Sequence, residues 1–357
     1  MADALDGLTG ALGKQLVLVD VGSSGGVPSI WRPLGRHATY VGFEPDAREV
    51  REVSDGPFAR SVYINKAVAP AEAGGTVRFF LTRSPYCSST LRPNPRITDS
   101  FLSAAKFIVE GETKVPATTV AEALRGLGLS HVDWLKIDTQ GTDLAVFRSL
   151  PDEMRHGVLA ADLEPGLRGA YVNEELFSDV HAAMIREGMW LSRMEVLGFP
   201  RMRKGTLDEL SSKRPLDEEM ITRSVRRTPG WVECRYLRTL ESLAERGDAV
   251  TRRDYIALWL FAHADQQFGY CLDIASEFAR RFGRDALVGT MTNIPLAHID
   301  ATWARHERTA KKGLLAGLKR KVRSIVRGAV PAPQGLGSAP SRGNRPELLN
   351  PAPFARA

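Results

Sequence analysis

The feature that most constrains this chain is an apolar segment that ends in an acid and runs into glycines. Val17–Val21 contains Asp20, Gly22–Gly26 follows, and a second apolar segment, Val41–Pro45, ends in Glu44. An apolar strand, a glycine turn, a helix and a second strand ending in an acid predict the first βαβ unit of a nucleotide-binding sheet. The chain is therefore expected to form an α/β fold with a parallel core.

The spacing of the glycines indicates which kind of ligand this turn suits. A dinucleotide fingerprint that starts at Gly22 needs glycines where Ser24 and Val27 stand. The pattern present is D-x-G-x-x-x-G, formed by Asp20, Gly22 and Gly26. It puts a carboxylate beside the turn, which suits a ligand with a cationic amine better than a diphosphate. The acid that ends the second strand lies about 20 residues on, where it can hold a ribose diol.

The same residues also match the G-x-S-x-G nucleophile elbow of α/β-hydrolases, with Ser24 as the nucleophile. That fold builds several strands before its elbow, including the loop that supplies part of the oxyanion hole. Here the elbow would follow the first strand of the chain. The hydrolase interpretation is therefore kept only as a weaker alternative.

Further strand patterns follow, and a polar loop separates them. The strands are predicted near residues 61–65, 76–81, 133–138 and 157–165. The Pro, Ser and Asn content of Ser84–Pro95 predicts a lid loop. Because ligands of parallel α/β sheets bind outside the carboxyl ends of the strands, one cleft is expected to collect four carboxylates. These are Asp20, Glu44, Asp138 and Glu164.

Six short motifs together resemble one family, the FkbM-type methyltransferases, which are class I enzymes that use S-adenosylmethionine. The resemblance covers roughly residues 14–198. The motifs are Val19–Gly22, Gly42–Pro45, Asn65–Val68, Ser88–Ser89, Val115–Val120 and Leu135–Gly141.

The resemblance implies a Rossmann-like, mostly parallel sheet of seven strands and methyl transfer from S-adenosylmethionine to a hydroxyl of a sugar, glycan or natural product. It implies cofactor contacts at Asp20, Gly22, Ser24, Gly26, Glu44, Asn65 and Ala67. Acceptor contacts are expected at Ser88, Ser89, Gln140 and Glu164. The chain departs from the family in having Ser23 and Ser24 where Ala-Asn is usual, and Gln140 where Glu is usual.

Each expected contact has a physical reason. Glu44 would hold the ribose diol, and backbone amides after Gly22, at the start of a helix, would hold the carboxylate of the cofactor. Asp20 would orient the turn or accept the amine. A hydroxyl acceptor must lose its proton, and Asp138 is the candidate general base. The alternative is that Asp138 only caps a helix that starts at Thr139, or orients the cofactor.

Metal and disulfide chemistry are not expected. Asp162, Glu164 and His181 match no metal-ligand spacing. Cys87, Cys234 and Cys271 are odd in number and scattered, which is typical of a reducing compartment. No secretory signal or membrane span is recognised, so a cytoplasmic protein is expected.

The second half of the chain has a different character. Helices are predicted near residues 231–246, 252–267 and 270–282, and the second is apolar nearly all round. Such a helix should be buried, either on the sheet domain or in a homodimer. The expected domains are a cofactor-binding domain at 1–200, a helical extension at 201–300, a basic amphipathic helix at 301–328 and a disordered tail at 329–357.

The stretch 305–327 carries nine basic residues against one acid, a net charge of +8, while the whole chain carries +6. Apolar residues recur through it at helical spacing, so an anionic membrane surface, at the inner face of the membrane, or a partner groove is the expected contact. Nucleic acid is disfavoured because no aromatic residues interleave the charges. The rival to a methyltransferase is a catalytically silent cofactor-binding scaffold that uses this helix to bind a membrane or protein.

Overall fold

A computed structural model describes the backbone of residues 2–49, 56–70, 75–214 and 218–328. Side chains are described for residues 5–49, 56–70, 75–214 and 219–309. The chain divides into two units, Met1–Ile299 and Asp300–Ala357. The first unit contains every strand of the described residues.

A seven-stranded sheet forms the core of the first unit. Its strand order is β3-β2-β1-β7-β8-β10-β9, with parallel pairing from β3 to β8 and antiparallel pairing of β10 with both neighbours. The strands are β1 (Leu16–Val21), β2 (Ala38–Phe43), β3 (Arg60–Ile64), β7 (Trp134–Ile137), β8 (Ala160–Leu163), β9 (Met189–Pro200) and β10 (Arg227–Arg238). The predicted seven-stranded, mostly parallel α/β sheet is confirmed.

A second sheet of three strands lies beside the loop that was predicted as a lid. Its order is β4-β6-β5, with β4 parallel and β5 antiparallel to β6. The strands are β4 (Ala67–Val68), β5 (Thr76–Thr82) and β6 (Val109–Thr118). The strand predicted at 76–81 therefore exists, but it belongs to this smaller sheet.

The described residues form twelve α-helices. They are α1 (Ala2–Gly10), α2 (Pro95–Thr98), α3 (Val120–Gly126), α4 (Asp143–Arg148), α5 (Asp152–Gly157), α6 (Phe177–Arg186), α7 (Lys204–Lys213), α8 (Glu218–Ser224), α9 (Leu240–Glu245), α10 (Arg252–Ala264), α11 (Phe268–Phe282) and α12 (Ala286–Gly328). The helix expected directly after the glycine turn is instead a 3₁₀ helix, Ser29–His37, which contains Pro33. Proline lacks the amide hydrogen that an α-helix needs inside its length.

Successive side chains of the strands alternate between two hydrophobic cores, one on each face of the large sheet. In β1, Leu16 and Leu18 enter the core formed with α1, α10 and α11, while Val17, Val19 and Val21 enter the core formed with α3, α4 and α6. This alternation is what a strand buried on both faces requires, because successive side chains point to opposite sides. It also decides that Asp20 points toward the first of these cores.

The apolar helix predicted in the second half is α10, and it is buried within the unit. Every residue from Tyr255 to Ala262 is at most 2% exposed. The Trp134 ring of β7 lies 4.9 Å from the Phe261 ring of α10. Because the helix is covered by the sheet and α11, its burial does not require a dimer.

The region after residue 200 is not purely helical. The helix predicted over 231–246 is wrong in its first part, since β10 occupies Arg227–Arg238 and pairs along its whole length with β9. The sequence does not predict β10 as a strand because Pro229 and Gly230, near its start, are unfavourable inside strands. Only the helical segments after Thr239 agree with the prediction.

The second unit is described as far as residue 328. Its backbone continues α12, in agreement with the predicted helix at 301–328, while the side chains beyond 309 and the predicted disordered tail at 329–357 lie outside the described residues. Within the described part of the chain, no helix combines the length and the apolar character needed to cross a membrane.

Candidate active site

Gly22 lies where the strand order of the sheet reverses, between β1 and β7. Its φ is +81°, and a Cβ there would lie 2.0 Å from the backbone oxygen of Asp138. Glycine is therefore required at this position by both backbone conformation and close approach. Asp138 also donates its amide to Val21 at 2.8 Å. The exits of β1 and β7 are thus held together at the switch point, where ligands of open α/β sheets bind.

Glu44 closes the loop that follows β1. Its carboxylate accepts hydrogen bonds from the amides of Ser24 (3.1 Å) and Asp46 (2.8 Å). Burial raises the pKa of Glu44 to about 7. Each carboxylate oxygen can accept two hydrogen bonds, so both retain capacity for the hydroxyls of a ligand. Asn65 supports the position by donating its side-chain amide to the Glu44 carbonyl at 2.7 Å.

The backbone amides that follow β1 are already used within the protein. Those of Gly22 and Ser23 both donate to the Phe43 carbonyl at 2.9 Å, and that of Ser24 donates to Glu44. The sequence had assigned amides after Gly22 to a ligand carboxylate. In the structure these three backbone amides instead bond the loop after β1 to the end of β2.

A first cavity opens at the carboxyl ends of β1, β2 and β7. Of the predicted residues, it is lined by Gly22, Ser24, Glu44, Ala67, Ser88, Asp138 and Gln140. Its apolar lining includes Phe43, Val68 and Phe79, and Lys66 and Tyr86 also line it. It therefore combines two carboxylates, hydroxyls and an apolar wall, which are the kinds of group that an adenosine-containing ligand contacts.

Asp20 does not line this cavity. It is 1% exposed, and its carboxylate accepts hydrogen bonds from the Tyr40 hydroxyl and Lys136 Nζ, each at 3.1 Å. Burial alone would lower the pKa of Lys136, but Asp20, Asp138 and Glu164 together raise it. Of the two roles predicted for Asp20, orienting the turn agrees with this position, while a direct contact with a ligand amine does not.

Three other predicted residues lie beside the first cavity without lining it. Gly26, with a φ of +98°, lies in the loop after β1 and does not line the cavity. Asn65 acts through Glu44, as described above. Ser89 is 1% exposed and donates its hydroxyl to the carbonyls of Thr139 and Gln140 at 3.2 and 2.9 Å. It fastens the Ser84–Pro95 segment to the exit of β7 and does not line the first cavity.

Asp138 is held by its neighbour Gln140. The Gln140 amide donates to Asp138 Oδ1 at 2.6 Å, and the Gln140 amide oxygen accepts from the Tyr171 hydroxyl at 2.9 Å. Gln140 has a φ of +58°, a conformation that is uncommon outside glycine. Asp138 Oδ2 receives no hydrogen bond from the described residues, so one oxygen of the carboxylate remains available to a ligand.

The structure removes the interpretation of Asp138 as a helix cap. The helix after β7 begins at Asp143, and its N-cap residue is Thr142. It is Asp143 that organises the turn, accepting from the Thr139 amide and hydroxyl and from the Glu164 amide at 2.7 to 3.0 Å. Burial, followed by the charge of Asp138, raises the pKa of Asp143 to about 6.

A second cavity adjoins the first and shares Tyr86, Asp138 and Gln140 with it. Glu164, at the exit of β8, lines this second cavity. Its remaining lining comes largely from aromatic and acidic residues that sequence reasoning did not identify: Phe101, Phe107, Tyr171, Glu174, Phe199, Trp231 and Glu233. Several belong to β9 and β10 or to the segments beside them, where no motif marks them. Tyr86 is different, because it lies within the predicted lid loop, and Lys66 of the first cavity lies within the Asn65–Val68 motif.

The described residues do not support the hydrolase alternative. A serine nucleophile needs a neighbouring base, usually histidine, and no histidine lines either of these two cavities. His131 lies at the opposite end of β7, beside Asp133, and His181 contacts Tyr236. Nor do the described His, Cys, Asp and Glu side chains form a group of three that could hold a metal ion.

A comparison with protein families matches this region of the chain. Residues 22–161 match the family model of the methyltransferase FkbM domain, which supports a methyltransferase. No curated protein and no solved structure matches the chain significantly. The match begins at Gly22 and includes Glu44 and Asp138, so it covers β2, β7 and the loop that follows β1. Residues 22–161 are therefore similar in sequence to the methyltransferase FkbM domain.

Proposed function

We propose that this protein is an S-adenosylmethionine-dependent O-methyltransferase that acts on a hydroxyl of a sugar, a glycan or another hydroxylated metabolite. The observation that carries the proposal is the meeting of two cavities at Asp138, Gln140 and Tyr86. One cavity has the lining expected for the cofactor, and the other provides room for an acceptor. The carboxylate of Asp138 lies between the two cavities, where a base is needed to remove the proton of an acceptor hydroxyl.

The lining of the first cavity fits the cofactor. Glu44 would hold the ribose diol with the free acceptor capacity of its two oxygens. Phe43, Val68 and Phe79 would cover the adenine, and Gly22 and Ser24 would lie against the amino-acid end. When bound, S-adenosylmethionine supplies an electrophilic methyl group on a sulfonium.

Asp138 is the proposed general base. Gln140 fixes one oxygen of its carboxylate, so the other can accept the proton of an acceptor hydroxyl. Tyr171 in turn fixes Gln140 from the opposite side. Methyl transfer needs its reacting atoms in line, so a base oriented by a hydrogen bond also contributes to positioning.

Calorimetric titration of the full-length protein tests the cofactor and its site. S-adenosylhomocysteine should bind with a Kd on the order of micromolar, while NAD should not bind. Glu44→Ala should weaken the binding at least about tenfold because it removes the acceptor for the diol. Binding of NAD alone, or no effect of Glu44→Ala, would contradict the proposed site.

The rival function is a silent cofactor-binding scaffold, and Asp138→Asn separates the two. The variant should bind S-adenosylhomocysteine as the wild type does. Turnover of any hydroxylated acceptor found by screening should fall by about 10²-fold or more, the usual contribution of a general base. Unchanged turnover would remove Asp138 as the base, and cofactor binding with no turnover on any acceptor would favour the scaffold.

A further inference from the structure

The second cavity has a composition that a neutral acceptor does not need. Its acidic residues are Asp138, Glu164, Glu174 and Glu233, and its only cationic side chain among the described residues is Lys106. Lys106 Nζ lies 5.6 Å from the centre of the Phe199 ring, over its face. The single positive charge is thus placed on an aromatic ring, and no ion pair joins it to an acid of the cavity.

Glu164 is the carboxylate whose surroundings are incomplete. It is mostly buried, at the exit of β8, and its side chain receives no hydrogen bond and forms no ion pair with the described residues. Glu174, by contrast, accepts from the Tyr171 amide at 3.1 Å. The oxygens of this partly buried carboxylate are thus open to the cavity, where a ligand can supply the donor that the described residues do not.

The electrostatics of Glu164 agree with its geometry. Burial and the neighbouring Asp138 raise the pKa of Glu164 well above the ordinary range of a carboxyl, and Lys136 only partly opposes them. A cation placed beside Glu164 would favour its ionised form and relieve the repulsion from Asp138. A neutral hydroxyl would supply a hydrogen bond but no charge.

Aromatic rings form a continuous wall in the same cavity. The rings of Phe107 and Tyr171 lie 6.0 Å apart, those of Phe101 and Phe199 5.7 Å apart, and those of Phe199 and Trp231 5.2 Å apart. The faces of aromatic rings attract cations, and they also cover the apolar faces of sugar rings. Acids and aromatic faces together form a lining that selects positively charged organic groups.

We propose that the acceptor is a hydroxylated compound with a protonated amine, such as an amino sugar, and that Glu164 binds its ammonium group in the second cavity. This inference rests on the proposed function, because it names the acceptor of the same site. The ammonium group serves as an anchor. It leaves a hydroxyl, and not the amine, to face Asp138.

Matched sugars test this inference by binding alone. Full-length protein saturated with S-adenosylhomocysteine would be titrated calorimetrically with glucosamine, galactosamine and 6-amino-6-deoxyglucose. Each would be compared with its hydroxyl and N-acetyl counterparts at a pH where the amine is protonated. At least one amino sugar should bind about tenfold more tightly than both counterparts, as expected for a buried charge pair. Equal binding of a neutral counterpart, or no binding of any amino sugar, would overturn the proposal.

Two variants assign the effect to Glu164. Glu164→Gln should remove the preference for the amine at nearly constant shape, while Glu209→Gln should retain it. Glu209 is an exposed acid paired with Lys213 on α7, so it matches the change in net charge away from the cavity. An unchanged preference in Glu164→Gln would overturn the assignment. If Glu164→Gln still binds S-adenosylhomocysteine, the variant is folded. If the wild-type protein does not bind S-adenosylhomocysteine at all, the result contradicts the proposed function and not this inference.

Discussion

At the scale of single residues, Gly22 and Gly26 look alike in the sequence but differ in their surroundings. Both have a positive φ, but a Cβ on Gly22 would meet the Asp138 carbonyl, whereas a Cβ on Gly26 meets nothing within 4 Å. Comparing alanine substitutions at these two glycines therefore separates the loss of stability caused by backbone conformation from the loss caused by the close approach of Asp138, at the exit of β7.

Gly22→Ala should lower the free energy of unfolding by about 3 kcal/mol or more, because β1 and β7 must move apart. Gly26→Ala should cost about 1 kcal/mol, the lower end for a strained conformation. Urea unfolding and titration with S-adenosylhomocysteine would measure both effects, and only Gly22→Ala should also weaken the binding. Equal losses of stability would show that the approach of Asp138 is not the constraint.

Gln140 stands where the FkbM-type methyltransferases that the chain resembles usually have Glu, and its hydrogen bonds give a reason for the difference. Its amide donates to Asp138 and accepts from Tyr171, and a glutamate could not donate to Asp138 when ionised. Gln140→Glu should therefore reduce turnover near neutral pH and move the acidic limb of the pH–rate profile to higher pH. Tyr171→Phe removes the neighbouring hydroxyl without adding charge, so it should leave that limb in place. A Gln140→Glu profile identical to the wild type would exclude this role.

At the scale of elements, Asp133 joins three segments at the end of the sheet opposite the site. Its carboxylate accepts from the Val17 amide of β1 at 2.8 Å and from both Nη atoms of Arg253 on α10 at 2.7 Å. Burial alone would raise the pKa of Asp133, but Arg253 and His131 lower it to about 2. Asp133 thus connects α10 to β1 and to the start of β7.

This shift gives a prediction for stability against pH. A carboxyl whose pKa is lower in the folded than in the unfolded state stabilises the fold above the unfolded value, and the contribution disappears as the pH falls toward 2. It amounts to about 2 kcal/mol. Asp133→Asn should therefore be less stable by at least about that amount at pH 7, and the gap should narrow below pH 4. Urea unfolding across this range measures it, and a gap independent of pH would contradict the ion pair.

At the scale of the whole molecule, the unit that starts at Asp300 carries the basic segment. Trp303 is 69% exposed, and aromatic residues of this kind favour the boundary between membrane and water. Together with the net charge of +8 over 305–327, this supports a proposed contact with an anionic membrane surface.

Deletion of residues 303–357 should abolish binding to vesicles that contain phosphatidylglycerol at low salt, because it removes the basic segment. Deletion of residues 329–357 alone should retain the binding, since that segment is kept. Sedimentation with vesicles of phosphatidylglycerol or of phosphatidylcholine alone would measure both. If the full-length protein does not sediment with anionic vesicles, the membrane proposal is wrong.

The sequence by itself determined the parallel half of the sheet and part of the lining of the first cavity. The strands with Asp20, Glu44, Asp138 and Glu164 are short, apolar and followed by turns, so local composition is enough to place their carboxyl ends. Gly22 and Glu44 were predicted for the same reason, because strand and turn motifs are local in sequence.

Only the tertiary structure decided the direction of side chains and the second cavity. Asp20 turns toward Lys136 because strand alternation points it into the core, and β10 pairs with β8 and β9 although its sequence predicts no strand. Phe101, Glu164 and Trp231 line one cavity although they are far apart in sequence, where no spacing rule applies. Motifs record what a chain does over a few residues, whereas an acceptor cavity is built by contacts between segments that have no local pattern in common.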